Sequence, residues 1–558
     1  MLRNCHMSLF AMGMPQRVLM KQVFHSVLTL PGRVAFLFLL LGSGGLASAQ
    51  EAPVVEEVPP VEEQTLTIRE YRVVGARKLP REEVETAVYS YMGPGRTTVD
   101  VEAARTALEK AYKDKGFQTV SVNVPQQRGR GGVIVLHVTE APIGRLRVTG
   151  SRFFNIDQIK RRARSLAEGS VPDFNEVQAE LLALNKKPDL RVSPEFRPGA
   201  VPGTIDVDLV VQDTFPFHAS AELNNRYSAN TTPLRVDLSA RYENLWQLGH
   251  TIGFGFQIAP QRPDDATVYS AYYIAPVPGL SWLSVMVQGI RQNSDVSTLG
   301  GTAVAGNGEV YGGKLLFDLP SRPGLFHTAS IGFDYKNFKQ DLALGNEVVE
   351  SPITYYPFVL AYNGFWMGTG YQLEFDAALT FSIRGLGSDE VDFDNRRYGA
   401  DGNFAALRGS LGVTRDLPFG FQFFTMLQGQ AAGVPLIDTE QFALGGVNTV
   451  RGYLEAEVLG DSAVGATFEL RSPSLVGWLN SDANEIRLFT FLDAGAAWLN
   501  DPLPEQAASF SLWSFGFGGT FRVLDHFNSS LFVGFPQVTQ TSSIAGQPFF
   551  SFRVWGEL

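Results

Sequence analysis

The sequence predicts two small repeats of β-α-α-β-β order followed by a transmembrane antiparallel β-barrel. Three observations carry this. Residues 66–213 mix helical and strand periods in the same order twice, whereas from Phe215 to Leu558 short alternating segments separated by Gly, Asn, Asp and Pro replace the helical period. Aromatic residues make up 12% of the 558-residue chain and charged residues only 18%, with 41 Phe and 56 Gly. The mean hydropathy is nevertheless -0.01. Beyond the first 50 residues no stretch stays apolar for the ~20 residues a membrane helix needs, which excludes a helical membrane protein. Barrel strands alternate lipid-facing and lumen-facing side chains, and the alternation cancels in an average.

The first element is a leader. Arg3, Arg17, Lys21 and Arg33 precede the apolar run Val34 to Leu41 and the small residues Ala47-Ser48-Ala49, so residues 1–49 read as a signal peptide cleaved before Gln50. A start at Met20 would give a leader of more ordinary length, and a buried apolar segment is the plainer alternative. Cleavage removes four basic and no acidic side chains, taking the formal charge from -11 to -15, and removes Cys5, the chain's single cysteine. The mature chain has no disulfide and no thiol nucleophile, and its acidity argues against a nucleic-acid partner. Export without disulfides suits a bacterial envelope protein. Residues 50–65, rich in Pro and Glu, read as a solvated linker.

The first repeat, residues 66–141, starts with a strand from Leu66 to Val74 and a helix from Pro80 to Tyr91. A second helix, Val99 to Lys115, carries Val101, Ala104, Leu108, Ala111 and Tyr112 on one stripe. Gly116 ends it, and strands Phe117 to Val124 and Val133 to Val138 flank the turn Arg128 to Gly132. The second repeat, residues 142–213, places a strand at Leu146 to Val148, helices at Asn155 to Leu166 and Asp173 to Leu184, and strands near Leu190 to Arg197 and Thr204 to Val211. Val73-Val74-Gly75-Ala76 corresponds to Val148-Thr149-Gly150-Ser151, and the turn Gly93-Pro94-Gly95 to Glu168-Gly169-Ser170. Strand edges in such units accept an extended polypeptide by β-augmentation; the plainer reading is a spacer with protected edges.

The barrel is expected over residues 214–558. Ile252, Phe254, Phe256 and Ile258 alternate with Thr251, Gly253, Gly255 and Gln257; Ala329, Ile331, Phe333 and Tyr335 alternate with Ser330, Gly332, Asp334 and Lys336. Phe515, Phe517 and Phe521 share one further face. Gln372, Glu374 and Asp376 alternate with Leu373, Phe375 and Ala377, which suits a wall with water on one side better than a dry sandwich. A soluble all-β array with the same alternation is the alternative. Strands of ~9–11 residues with their connections give roughly 16 strands over this length. Candidate extracellular loops run from Asp341 to Glu350, Leu386 to Asn403 and Val434 to Ala456. At the C-terminus Phe550, Phe552, Val554, Gly556 and Leu558 face one way and Ser551, Arg553, Trp555 and Glu557 the other, as a closing strand requires.

The most informative stretch is Phe442 to Tyr453. Gly445, Gly446 and Gly452 allow tight turns around Arg451, with Val450 and Tyr453 beside it. In Ile486 to Asp493, alternation turns Arg487, Phe489, Phe491 and Asp493 inward if Leu488 and Leu492 face lipid, and Ala494 and Gly495 leave room for another segment. A carboxylate inside the barrel needs a partner, and Arg451 is the plausible one. Glu469 and Arg471, on the inward face of Ala466 to Arg471, extend the network. On chemistry alone, a surface arginine and an unrelated lumenal aspartate remain equally open.

Gly445-Gly446, Val450-Arg451-Gly452-Tyr453, Phe491-Leu492-Asp493-Ala494-Gly495 and the twin repeats together resemble the outer-membrane transporters of two-partner secretion, of the hemolysin-secretion type within the BamA-like superfamily. The resemblance spans about residues 66–558. It implies two POTRA domains in the periplasm, a 16-stranded barrel in the outer membrane, and a loop folded into the pore with its arginine paired to the barrel-wall aspartate, here Arg451 and Asp493. It also implies secretion, without ATP at the outer membrane, of a large unfolded β-helical adhesin or cytolysin whose N-terminal domain the POTRA units recognise. Further implied partners are outer-membrane lipid and, during biogenesis, periplasmic chaperones and the barrel assembly machinery, to which Phe550, Phe552, Trp555 and Leu558 of the last strand would speak. Two departures stand out: only about 16 residues, rich in Pro and Glu, separate the expected cleavage site from Leu66, short for the plug helix and linker that some members place there, and Leu558 replaces the usual terminal aromatic.

No catalytic set emerges. His137, His218, His250, His327 and His526 lack ligand spacing, no Gly-x-Ser-x-Gly elbow occurs, and neither metal nor cofactor is expected. The expected function is polypeptide transport, with a BamA-like assembly factor as the alternative and a passive porin as the reading that leaves the repeats without a task.

Overall fold

A computed structural model of the chain describes residues 65–127, 130–294, 296–297, 304–305, 307–320, 322–339, 341–344, 347–350, 352–479 and 483–558. The expected leader and residues 50–64 of the expected linker lie outside the described residues, as do Arg128 and Gly129 of the glycine-rich turn. The chain divides into two compact units with the break between Pro216 and Phe217.

In the first repeat β1 (Leu66–Ile68), β2 (Glu70–Val74), α1 (Arg81–Tyr89), β3 (Gly93–Arg96), α2 (Thr98–Asp114), β4 (Val120–Asn123) and β5 (Val133–Glu140) follow in order. β5 lies between β2, which runs parallel to it, and antiparallel β4. A capping box starts α2, with the Thr97 amide donating to Asp100 (2.8 Å), and the helix buries Val101, Ala104, Leu108 and Tyr112 on the sheet. The structure departs from the sequence reading at the edges. The expected strand from Leu66 to Val74 breaks at Arg69, whose amide donates to the Gly132 carbonyl (2.7 Å). The released segment, with Ile68 in the core, pairs with Gly93–Arg96, a stretch not expected to be a strand.

The second repeat contains β6 (Ile143–Thr149), α3 (Ile156–Arg162), α4 (Phe174–Leu184), β7 (Leu190–Pro198) and β8 (Ile205–Asp213), with β8 between β6 and β7. Asn155 caps α3 by accepting from Asp157 (2.8 Å), and Asp173 caps α4 by accepting from Asn175 (2.8 Å). α3 stops short of the expected Leu166 because Ala163 leaves helical geometry at φ -102, ψ 58, and a 3-10 turn follows.

The repeats share a buried device. Gly75 and Gly150 take φ +95 and +85, and each passes so close to a strand carbonyl, of Val138 or Val211, that no side chain fits. The next turn is then held by a carboxylate at the end of the last strand. Glu140 accepts from the amides of Arg77 and Lys78 (both 2.7 Å); Asp213 accepts from Arg152 (2.9 Å), Phe153 (2.8 Å) and Phe154 (3.2 Å). The repeats join where the Phe174 amide at the start of α4 donates to the carbonyl of Gly116, just past α2 (2.9 Å).

The barrel strands are β9 (Phe217–Asn224), β10 (Arg235–Leu245), β11 (His250–Ile258), β12 (Ala266–Pro276), β13 (Leu283–Ser294), β14 (Asn307–Asp318), β15 (Leu325–Lys339), β16 (Ile353–Tyr355 continuing as Phe358–Gly368) and β17 (Tyr371–Ser382). After α5 (Glu390–Arg396) come β18 (Phe404–Asp416) and β19 (Gln422–Ala432), a short hairpin of β20 (Phe442–Leu444) and β21 (Val458–Gly460), then β22 (Ser462–Arg471), β23 (Glu485–Trp498), β24 (Ser509–Val523), β25 (Phe527–Pro536) and β26 (Phe549–Glu557). All but β20 and β21 form one closed antiparallel ring of 16 strands, as the length predicts. β16 is interrupted at Pro357, which has no amide to donate. Leu238, Phe254, Ile331, Phe333, Leu427, Phe468 and Phe517 are exposed on the outside, while Gln257, Gln288, Lys314, Asp334, Gln430 and Asp493 are buried inside. The α5 connection, expected to be a plain loop, is partly helical, with Asp389 capping α5.

Burial pushes the Asp213 carboxyl up, but the amides of Phe153, Arg152 and Phe154 and the Ser151 hydroxyl outweigh it and hold the group below the ordinary carboxylate value. Its stabilising contribution is therefore full above the unfolded carboxylate value and is lost as pH falls through the lower folded value. Asp213→Asn should lower the stability of residues 66–213 by about 1–3 kcal/mol at neutral pH and reduce the acid sensitivity of the fold, as read by urea melts at several pH values.

Candidate functional site

The connection from β19 to β22, residues 433–461, folds into the barrel. Phe442, Leu444, Val450, Tyr453 and Val458 are buried in one cluster with wall residues Ala463, Ala497 and Leu512. β20 and β21 pair from Phe442 opposite Gly460 to Leu444 opposite Val458, so the loop descends as a hairpin that carries its own hydrogen bonds. Beyond β20 the chain turns at Gly445, whose amide donates to the Thr449 hydroxyl (2.9 Å).

Arg451 sits at the tip. Its Nε donates to Asp493 Oδ2 (2.7 Å), its Nη2 to Oδ1 (2.9 Å) and its backbone amide to Oδ2 (3.0 Å). Its Nη1 bonds Glu469, which also accepts from Arg471 Nε (2.6 Å). The guanidinium lies over the Phe491 ring with its carbon 3.8 Å from the centroid. Asp493 is 0% exposed, so its charge depends on these donors. A bidentate pair fixes position and orientation together, which an ammonium cannot do. The tip carbonyl is held too, since the Ser514 hydroxyl donates to Arg451 O.

The flanking residues set the approach. Gly452, at φ +93, crosses the backbone of Gly534 so closely that a Cβ on Gly534 would stand 2.7 Å from the Gly452 Cα. Gly495 faces the Leu444 side chain, which a Cβ would meet at 3.1 Å. The Tyr453 hydroxyl accepts from the Val538 amide (3.0 Å), and Val450 is fully buried. Gly446 packs against Glu455, which accepts from the Val447 amide (3.1 Å).

The structure thus brings together Arg451, Asp493, Glu469, Arg471 and Phe491, but it keeps Arg487 apart. Arg487 bonds Glu485 and the Ser472 carbonyl (3.0 Å), because Phe489 and Phe491 fill the wall between it and the tip. On the last strand Phe550 is exposed on the outside, Phe552 donates its amide to Asn225 (2.8 Å) and Trp555 turns inward under Arg553, 4.1 Å from its ring. The Leu558 amide still pairs with the Ala219 carbonyl (2.9 Å). His250 and His327 each meet a tyrosine hydroxyl, of Tyr273 and Tyr362. Among the described residues no group of three or more His, Cys, Asp or Glu could hold a metal ion.

Sequence reasoning missed Asp461, 0% exposed, which accepts from the amides of Leu436 (3.0 Å) and Asn500 (2.7 Å) and from Gln441 (2.9 Å). It also missed Ser514, although alternation against exposed Trp513 and Phe515 turns that hydroxyl inward. Glu457 ties the loop sideways, accepting from the Ser542 amide (2.9 Å) and the Ser543 hydroxyl (2.7 Å).

Comparison with known proteins agrees with this architecture. A family model described as haemolysin secretion/activation protein ShlB/FhaC/HecB matches residues 203–521, and one described as POTRA domain, ShlB-type, matches residues 66–141. The outer membrane transporter CdiB of Dickeya dadantii (strain 3937) is 20% identical over 457 residues, covering 81% of this chain and 80% of that protein. The structure of CdiB from Escherichia coli superposes with a TM-score of 0.65 at 18% identity, covering 91% of this chain and 93% of that one. BamA from Haemophilus ducreyi lacking POTRA domains 1–3 gives 0.55 at 12% identity, covering 88% and 100%, and shares the fold.

Gly452→Val should undock the tip, since its side chain meets the Gly534 backbone in a conformation that disfavours a β-branched residue, at a cost of roughly 1–3 kcal/mol. Faster cleavage of residues 433–461 by protease added to intact cells, with a barrel that still shifts on heating before electrophoresis, is the expected result.

Proposed function

The chain belongs to the haemolysin secretion/activation family of ShlB, FhaC and HecB, and on that premise we propose that it exports an unfolded polypeptide from the periplasm to the cell surface. It is an outer-membrane transporter with its POTRA domains in the periplasm. The single observation that carries the finer reading is a loop folded into the lumen yet held at its tip by a side-chain ion pair, Arg451 with Asp493, instead of by continuous sheet. Such a tip can let go without unzipping a sheet. The client docks on POTRA strand edges, loop 433–461 moves aside, the chain passes outward, and folding outside makes return costly. The client class is a β-helical adhesin or cytolysin, as the family implies.

One observation favours a second reading, an assembly factor for outer-membrane proteins. The ring closes through only five residue pairs between β26 and β9, from Arg553 with Asn224 to Glu557 with Ser220, whereas β25 and β26 share eight. That seam has the shortest ladder of the ring, with Leu558 on Ala219 and Asn225 on Phe550 and Phe552 beside it, and is where a lateral opening would start. The two readings part on what a defective variant loses, a secreted client or the other barrels of the membrane.

Arg451→Ala should cut release of the client into the medium while the barrel remains inserted and heat-modifiable; unchanged secretion would sink the role given to the loop. Deletion of residues 66–141 should abolish client crosslinking and spare insertion, and a client still captured by the shortened chain would make the first POTRA dispensable. Pull-down of an exported protein by purified residues 66–213 is the most direct test of recognition.

A further inference from the structure

The tip of loop 433–461 is held on β22 and β23 by Glu469 and Asp493, but its base is held elsewhere. Glu440 crosses to Lys336 of β15 and bonds its ammonium. The Tyr355 hydroxyl of β16 donates to the same carboxylate (2.7 Å) and lies 2.9 Å from Thr439 Oγ1. Lys336 also lies over the Tyr355 ring, 5.5 Å from its centroid. Glu440 and Lys336 are 7% and 5% exposed, so neither charge has water to fall back on. Around them Leu436 and Ile437 of the loop pack with Phe393 and Ala400 of the α5 connection and with Val310, Phe338, Ile353 and Phe404 of the wall. Asp438 pairs with Arg396 of α5 (3.4 Å).

β15 and β23 stand six strands apart in a ring of 16. The loop is therefore a strut, braced by buried ion pairs on two distant arcs of the wall, and release of one end leaves the other in the pore.

We propose that Lys336, Glu440 and Tyr355 form a second lock on the lumen, separate from Arg451, which must open for a polypeptide to pass. The proposal rests on the transport reading for its purpose, but not for its test. Arg451 positions the tip; Glu440 positions the base and, through Leu436 and Ile437, the apolar cluster packed around it. Neither lock alone decides whether the pore is open.

The test is ion conductance of the purified full-length protein in planar phospholipid bilayers, comparing the wild type with E440Q, R451A and the double variant. The double variant should raise the open fraction on the order of a hundredfold, the scale of breaking a buried ion pair, while each single variant changes it only a few-fold. R451A alone opening as widely as the double variant would overturn the proposal, as would a double variant as closed as the wild type. If the double variant fails to insert, Y355F with R451A removes one hydroxyl at the same lock and should open on the order of tenfold relative to R451A, and no increase there counts against the lock. Conductance needs no client, so a chain that proves not to export a polypeptide leaves this result standing, and a failed lock leaves the transport reading untouched.

Discussion

Hydrocarbon offers no hydrogen-bond partner, so the sheet that crosses it has to close on itself, and nearly everything else in the unit from Phe217 onward follows from that closure. Sixteen strands close only around a lumen too wide for wall side chains to fill. The outside can be apolar because lipid covers it; the inside has to meet either water or another piece of protein. Here the other piece is the chain's own loop, and the inner wall holds it through Lys336, Glu469 and Asp493.

Holding a loop inside a polar lumen calls for interactions with direction. Apolar packing of Leu444, Val450 and Tyr453 lowers the free energy of the docked state but is tolerant of sliding. The bidentate contact of Arg451 with Asp493 is not, and neither is the passage of Gly452 against Gly534. Buried ion pairs add little net stability, because desolvation offsets attraction, yet they penalise every half-docked arrangement that leaves a charge alone. Each anchor made this way is engaged or released, with few intermediates, which suits a part that has to let go cleanly.

The architecture was legible because alternation is a local signal. Phe254, Ile331 and Phe517 declare their faces within a few residues, and the stripe from Val101 to Tyr112 declares its helix. Arg451 and Asp493 were legible for a different reason: glycines around a lone arginine, and a carboxylate facing inward between apolar neighbours, mark each as unusual, and it was the resemblance, not the chemistry alone, that paired them. Glu440, Lys336 and Asp461 carry no such oddity. Lys336 reads as one more polar residue on an alternating strand, Glu440 as one more charge in a loop, and their meeting depends on a contact 104 residues apart that no window along the sequence contains. Arg487 errs in the opposite direction, since alternation gives its face correctly but says nothing of its height along the strand, where Phe489 and Phe491 separate it from the tip.

The joint between the two repeats runs through main chain at its centre: the Phe174 amide meets the Gly116 carbonyl, one helix's end against another's beginning, with Asn175 Nδ2 on the Lys115 carbonyl beside it (3.5 Å). Gly116 holds φ +98, and a Cβ there would collide with Asp173 Oδ1, so that side of the bond keeps its glycine, whereas the other side needs only an amide, which every residue type but proline carries. The repeats are thereby free to diverge in what they touch while retaining that link, and the sequence variation that adapts such a protein to a new cargo can accumulate on its faces without rewriting its joint.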